Sequence, residues 1–213
     1  MAATLETPFE RVDTPAAATV TQQPPTLPTF HLQLMDYPID TAIDADYFGV
    51  DLFETDSNTI AEIHKQGAKV ICYLNAGAWE DFRPDADDFP ADVIGRKYAG
   101  WPGERWLDIS NYSSFADIIL DRMDLAVEKG CDGIDADNVE GYQADSGFPI
   151  TADDQLTYNR WLSAQAHARG MLIALKNDPS QAADLVEDFD LAIVESCAFF
   201  RFCDAFVPFI QHG

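Results

Sequence analysis

The sequence predicts an α/β chain folded as a TIM-barrel-like (β/α) barrel, and three observations predict it. Strand-length apolar runs recur from Phe30 onward, most of them near-continuous rather than alternating, as expected of parallel strands covered on both faces. Amphipathic helical stripes fall between many of them. Three helix exits, Gln66-Gly67, Lys129-Gly130 and Arg169-Gly170, each lead straight into the next run, with glycine at the left-handed position that ends a helix. Repeated αβ units of this kind build a parallel sheet. A barrel is favoured over an open doubly wound sheet because no Gly-rich phosphate turn follows the first strand.

In chain order, residues 1–28 hold five of the twelve prolines among Thr, Ala and Gln, which reads as a disordered leader or linker. The ordered domain is expected over 29–213. Its predicted strands are Phe30–Leu34, Tyr47–Phe53, Ala68–Asn75, Arg105–Ile109, Gly133–Val139, Met171–Lys176 and Leu191–Glu195. Ser57 is the expected cap of a helix carrying Ile60 and Ile63. Phe115, Ile118, Ile119, Met123, Ala126 and Val127 form a stripe at helical spacing. Thr151 with Asp154 makes a capping box ahead of Leu156 and Leu162. Asp178-Pro179 offers a cap followed by proline at the first helical position. Seven strands fall one short of eight, and an eight-stranded barrel typically takes about 250 residues. The expected form is therefore a (β/α)8 barrel lacking its last strand and helix.

Composition narrows the function. Lys and Arg total 13 against 37 acids, a formal net charge of -24. Such a field repels phosphate backbones, so nucleic acid is excluded as a partner. The charge fits either a solvated acidic surface or attraction of a cationic substrate. No apolar run approaches the ~20 residues that span a bilayer, so no membrane partner is expected. The N-terminus lacks the basic and apolar regions of a signal peptide. The four cysteines form no CxxC pair and the four histidines no HxH or HExxH pattern, so neither metal nor cofactor is expected. Cys197 and Cys203 can close a small loop in an oxidising compartment. Cys72 reads as a core residue. A monomer is expected.

Active sites of parallel barrels gather at the C-terminal strand ends. There the sequence places Tyr73, Asn75, Trp79 and Glu80, then Asp135, Asp137 and Asn138, then Lys176 and Asn177, then Glu195. A carboxylate ending a buried strand is functional, paired or solvated by the site. Two such carboxylates facing one pocket suffice for glycoside hydrolysis, one donating a proton while the other attacks or activates water. Nearby Trp and Tyr suit stacking on sugar faces, and equally suit packing the loops down.

The stretches VICYLNAGAWEDFRPDADDFP, GWPGERWLDI, KGCDGIDADNVEGYQADSGFPIT, DDQLTYNRWLSAQAHARGMLIALKND and VESC resemble glycoside hydrolase family 114, from about Phe30 to the end of the chain. The resemblance implies a TIM-barrel-like endo-α-1,4-polygalactosaminidase acting on a galactosamine-containing polysaccharide, and an extracellular location. It implies Asp137 and Glu195 as the catalytic pair, with Asp137 as nucleophile or base and Glu195 as general acid. It implies a sugar site lined by Tyr73, Asn75, Trp79, Asp135, Asn138, Lys176 and Asn177. For Lys176 three roles stay open: holding a carboxylate ionised, anchoring a sugar hydroxyl, or a salt bridge that only shapes the pocket. The alternative function is a catalytically inactive barrel that binds cationic amino-sugar polymers.

Overall fold

A computed structural model describes residues 27–212; apart from Leu27 and Pro28, the leader expected over 1–28 lies outside the described residues. The body is a six-stranded parallel sheet that curls into a half-barrel. Its strands are β1 (Phe30–Gln33), β2 (Tyr47–Asp51), β3 (Lys69–Asn75), β7 (Gly133–Asp137), β8 (Leu172–Lys176) and β9 (Leu191–Ile193), paired in that order. The long connection between β3 and β7 forms a second, antiparallel sheet in which β6 (Glu104–Leu107) lies between β4 (Ala78–Glu80) and β5 (Ile94–Lys97). The longest helices are α1 (Ser57–His64), α2 (Ala116–Lys129) and α3 (Ala152–Ala168), followed by the short α4 (Ala182–Leu185), α5 (Cys197–Phe200) and α6 (Val207–His212). Among the described residues no helix is long and apolar enough to cross a membrane.

Alternation along the strands separates core from site. Val70, Cys72 and Leu74 of β3, Ile134 and Ala136 of β7, and Ile173 and Leu175 of β8 join the main apolar cluster with Ile60, Ile63, Ile119, Met123, Tyr158 and Leu162 from the helices. Residues one step along have the opposite orientation. Parallel register sets Tyr73 beside Asp135 and Asn75 beside Asp137, and Asp135 beside Ala174. The polar residues of these strands therefore share the inner face of the half-barrel.

The three glycine exits hold. Gly67, Gly130 and Gly170 have φ of 86°, 93° and 72°, the left-handed region that glycine enters without steric penalty. The Thr151–Asp154 capping box is also present. Four expectations need correction. Arg105–Ile109 is no barrel stave: its first residues belong to β6, half-exposed in the antiparallel sheet, so six strands, not seven, build the half-barrel. The cap of α1 is Asp56, whose carboxylate accepts from the Thr59 N–H, while Ser57 is already helical. Asp178 caps no helix: it is fully buried at φ 54°, and its carboxylate is taken by Tyr142, Gln143 and Asn159. Cys72 is buried as expected but is bonded to Cys131, across 59 residues; the second disulfide joins Cys197 and Cys203.

Candidate active site

Four strand ends deliver the site, those of β3, β7, β8 and β9. After Asp137, Lys176 and Glu195 the next residues, Asn138, Asn177 and Ser196, all have positive φ (62°, 50° and 56°). Asparagine tolerates this region better than most residues, and the reversal turns the chain away while leaving the preceding side chain at the mouth. The end of β3 is pinned from behind. The Ala76 and Gly77 N–H groups both donate to the Asp137 carbonyl at 3.1 Å. Arg122 donates to the Asn75 carbonyl at 2.7 Å, and the Tyr158 hydroxyl to the Ala76 carbonyl at 2.7 Å. Gly77 is required here, since a Cβ at this position would stand 1.8 Å from the Asn138 carbonyl oxygen.

Lys176 is the hub. Its side chain is 2% exposed, and its ammonium lies 2.9 Å from Asp135 Oδ2, 3.4 Å from Glu195 Oε1 and 3.8 Å from Asp137 Oδ1. Burial alone would favour the neutral amine, but these carboxylates outweigh it and raise the pKa above the usual lysine range. Asp135 lies wholly inside, where burial pushes its pKa up to about 6 against the pull of Lys176; its Oδ1 makes no hydrogen bond to a described residue. Asp137 is more open. Its Oδ2 accepts from the Tyr73 hydroxyl at 2.9 Å and from the Asn138 amide at 3.5 Å. Burial first, then Asp137, raises the Tyr73 pKa, so its phenol keeps the proton it donates. Glu195 is half-exposed, and its N–H donates to Asn177 Oδ1 at 2.9 Å. Lys176 therefore bridges both strand-end acids.

Of the residues singled out in the sequence, Tyr73, Asp135, Asp137, Asn138, Lys176, Asn177 and Glu195 come together. Asn75 adjoins them, its carbonyl-type oxygen accepting from Ala78 N–H at 2.7 Å and its amide reaching Glu104 Oε2 at 3.4 Å. Trp79 does not join the cluster. It lines an adjoining depression of about 700 Å3 with Lys97, Tyr98, Trp101, Glu104 and others, and its indole N–H donates to the Ala86 carbonyl.

Two residues at the mouth were not singled out. Glu104, on β6, is pushed up to about 7 by burial, then by Glu80 and Asp137. Tyr98, its backbone N–H on the Glu104 carbonyl, is pushed up to about 12 by burial and by Asp137, Glu140, Glu104 and Glu195. Its ring packs against Trp106 with centroids 4.7 Å apart. Neither carries a sequence signal beyond its chemistry, because both arrive on the antiparallel insertion. That insertion is fastened to the barrel by Arg83, which is buried and pairs with Asp51 at the end of β2 and Glu80 of β4.

The arrangement offers two accessible carboxylates, Asp137 and Glu195, sharing one buried ammonium. Comparison with known proteins identifies the family. The sequence model of glycoside-hydrolase family GH114 matches residues 11–213. The crystal structure of Aspergillus fumigatus Ega3 in complex with galactosamine is similar at a TM-score of 0.85 and 39% identity, covering 92% of this chain and 78% of that one. The glycoside hydrolase domain of PelA from Pseudomonas aeruginosa is similar in fold, with a TM-score of 0.61, 16% identity and coverage of 79% and 67%. No curated protein sequence matches.

Proposed function

The chain belongs to glycoside-hydrolase family GH114, and from that premise we propose that this glycosidase cleaves α-1,4-linked galactosamine polymers with Asp137 and Glu195. The observation that carries the reading is the single buried ammonium of Lys176 set between those two carboxylates. Its contacts of 3.8 and 3.4 Å put the two oxygens no more than about 7 Å apart. That limit spans the ~5–5.5 Å of retaining glycosidases and only the bottom of the ~6.5–9.5 Å inverting range. Retention is the stereochemistry we propose, and the anomeric configuration of the first product decides it against inversion. Asp137, fixed by Tyr73 and Asn138, attacks the anomeric carbon. Glu195, half-exposed, protonates the departing oxygen and then takes a proton from the water that releases the sugar.

Charge supports the substrate class. A galactosamine polymer with free amines is a polycation near neutral pH, and a chain of net charge -24 concentrates it. The 39%-identical Ega3 was crystallised with galactosamine. An extracellular, monomeric enzyme is part of the same proposal; two disulfides suit an oxidising compartment. Mass spectrometry of galactosamine oligomers incubated with the protein tests it. Shortened oligomers, absent with Asp137→Asn, are expected; saturable binding without cleavage would leave the inactive binding barrel.

A further inference from the structure

Glu104 stands where the catalytic cluster meets the adjoining depression. Its Oε2 is 3.4 Å from the Asn75 amide, and Asn75 is the register partner of Asp137. The same residue lines the depression with Trp79, Tyr98 and Trp101, and Trp101 is 57% exposed.

Five of the carboxylates near it are matched to cations. Asp135, Asp137 and Glu195 share Lys176, and Glu80 with Asp51 holds Arg83. Glu104 is different. Among the described residues it makes no ion pair within 4.0 Å, and its one side-chain hydrogen bond is the long one to Asn75. Lys97 and Arg105 line the same depression, but neither pairs with Glu104 within 4.0 Å, and Arg105 donates to the Gly95 carbonyl. A half-buried carboxylate without a cation is costly to ionise, as the rise of its pKa to about 7 records. An incoming ammonium removes that cost; an uncharged acetamide does not.

We propose that Glu104 is the specificity residue that selects a free amino sugar, pairing with the ammonium of a unit bound at the junction of the catalytic cluster and the Trp79–Trp101 depression. The proposal rests on the galactosamine reading above. It narrows that reading to deacetylated units, and gives the antiparallel insertion a function: it carries the selecting carboxylate to the barrel mouth. Ionised Glu104 and an ammonium form a charge-assisted hydrogen bond, and its loss corresponds to roughly 10- to 100-fold in affinity.

The test is calorimetric binding of galactosamine oligomers and of fully N-acetylated oligomers at pH 7, where the polymer amines carry charge. The proteins are Asp137→Asn, which prevents turnover, and the Asp137→Asn/Glu104→Gln double variant. Glutamine preserves shape and the Asn75 contact while removing the charge, and a urea midpoint confirms folding. The expected result is a loss of about 10- to 100-fold for galactosamine oligomers with under threefold change for the acetylated ones. Equal loss for both would overturn selection by charge, and so would no loss for either. If the protein with Asp137 intact fails to cleave galactosamine oligomers, the hydrolase reading falls. The binding comparison then still decides whether Glu104 reads the amine.

Discussion

Replacing Lys176 by methionine removes the one cation that three inward carboxylates share, and its consequence can be worked out in advance. Lys176 and Asp135 are 2% and 1% exposed at a separation of 2.9 Å, so little solvent screening applies. Breaking such a pair from one side typically costs about 3–5 kcal/mol, because the remaining charge stays buried. The cost depends on pH through Asp135. Its folded pKa, about 6, lies above the ordinary aspartate value of 3.8. A raised acid subtracts stability as pH climbs through that interval, so it is nearly harmless at pH 4 and weighs fully above pH 6. At about 1.36 kcal/mol per unit, the penalty is already about 3 kcal/mol with Lys176 in place. Lys176 holds that pKa down, so its removal drives the value higher and extends the penalty towards neutral pH. Urea unfolding followed by tryptophan fluorescence at pH 5 and pH 8 measures this. Lys176→Met should lose about 3–5 kcal/mol at pH 8 and clearly less at pH 5. The Asp135→Asn/Lys176→Met double variant should recover most of the difference. A loss under 1 kcal/mol at pH 8, or equal losses at both pH values, would refute the reasoning.

Three further predictions follow from single contacts. Tyr73→Phe deletes the hydroxyl that donates to Asp137; the rate of reducing-end release should fall about 10- to 100-fold with an unchanged urea midpoint. Gly77→Ala pushes a Cβ into the Asn138 carbonyl; the strand end must shift, so both the melting temperature and the turnover should fall, and an unperturbed variant would contradict the close approach. Replacing both Cys72 and Cys131 by alanine opens a loop of 59 residues, worth about 4 kcal/mol on the chain-entropy relation, read as the urea-unfolding difference from the parent. Loss of Cys197–Cys203, with its separation of 6, should cost only about half as much.

The parallel sheet was legible because its central strands β2, β3, β7 and β8 are largely buried and read as near-continuous apolar runs with glycine-terminated helices between them. The strand-end acids were legible for the same reason: Asp137 follows an apolar strand, where a carboxylate is conspicuous. The antiparallel insertion was not. β4 has three residues and β5 reads Ile-Gly-Arg-Lys, too short and too polar to register, while Arg105–Leu107 looks like any other strand until its neighbours are known. Glu104 and Tyr98 were obscured with it, since their nearness to Asp137 is tertiary. Four cysteines allow three pairings, and nothing in the spacing of Cys72 and Cys131 favours theirs. Asp178-Pro179 carried a sound helix-start signal, but the left-handed turn after β8 and the hydroxyl of Tyr142 claimed Asp178 first.

The most direct measurement is the turnover of galactosamine oligomers by Asp137→Asn and by Glu195→Gln, each set against the unaltered chain and against its own urea midpoint. A two-carboxylate mechanism predicts that each variant loses on the order of 10²–10⁴ in rate while remaining as stable as the parent. Turnover within tenfold of the parent in either folded variant would contradict the assignment of that carboxylate to the reaction.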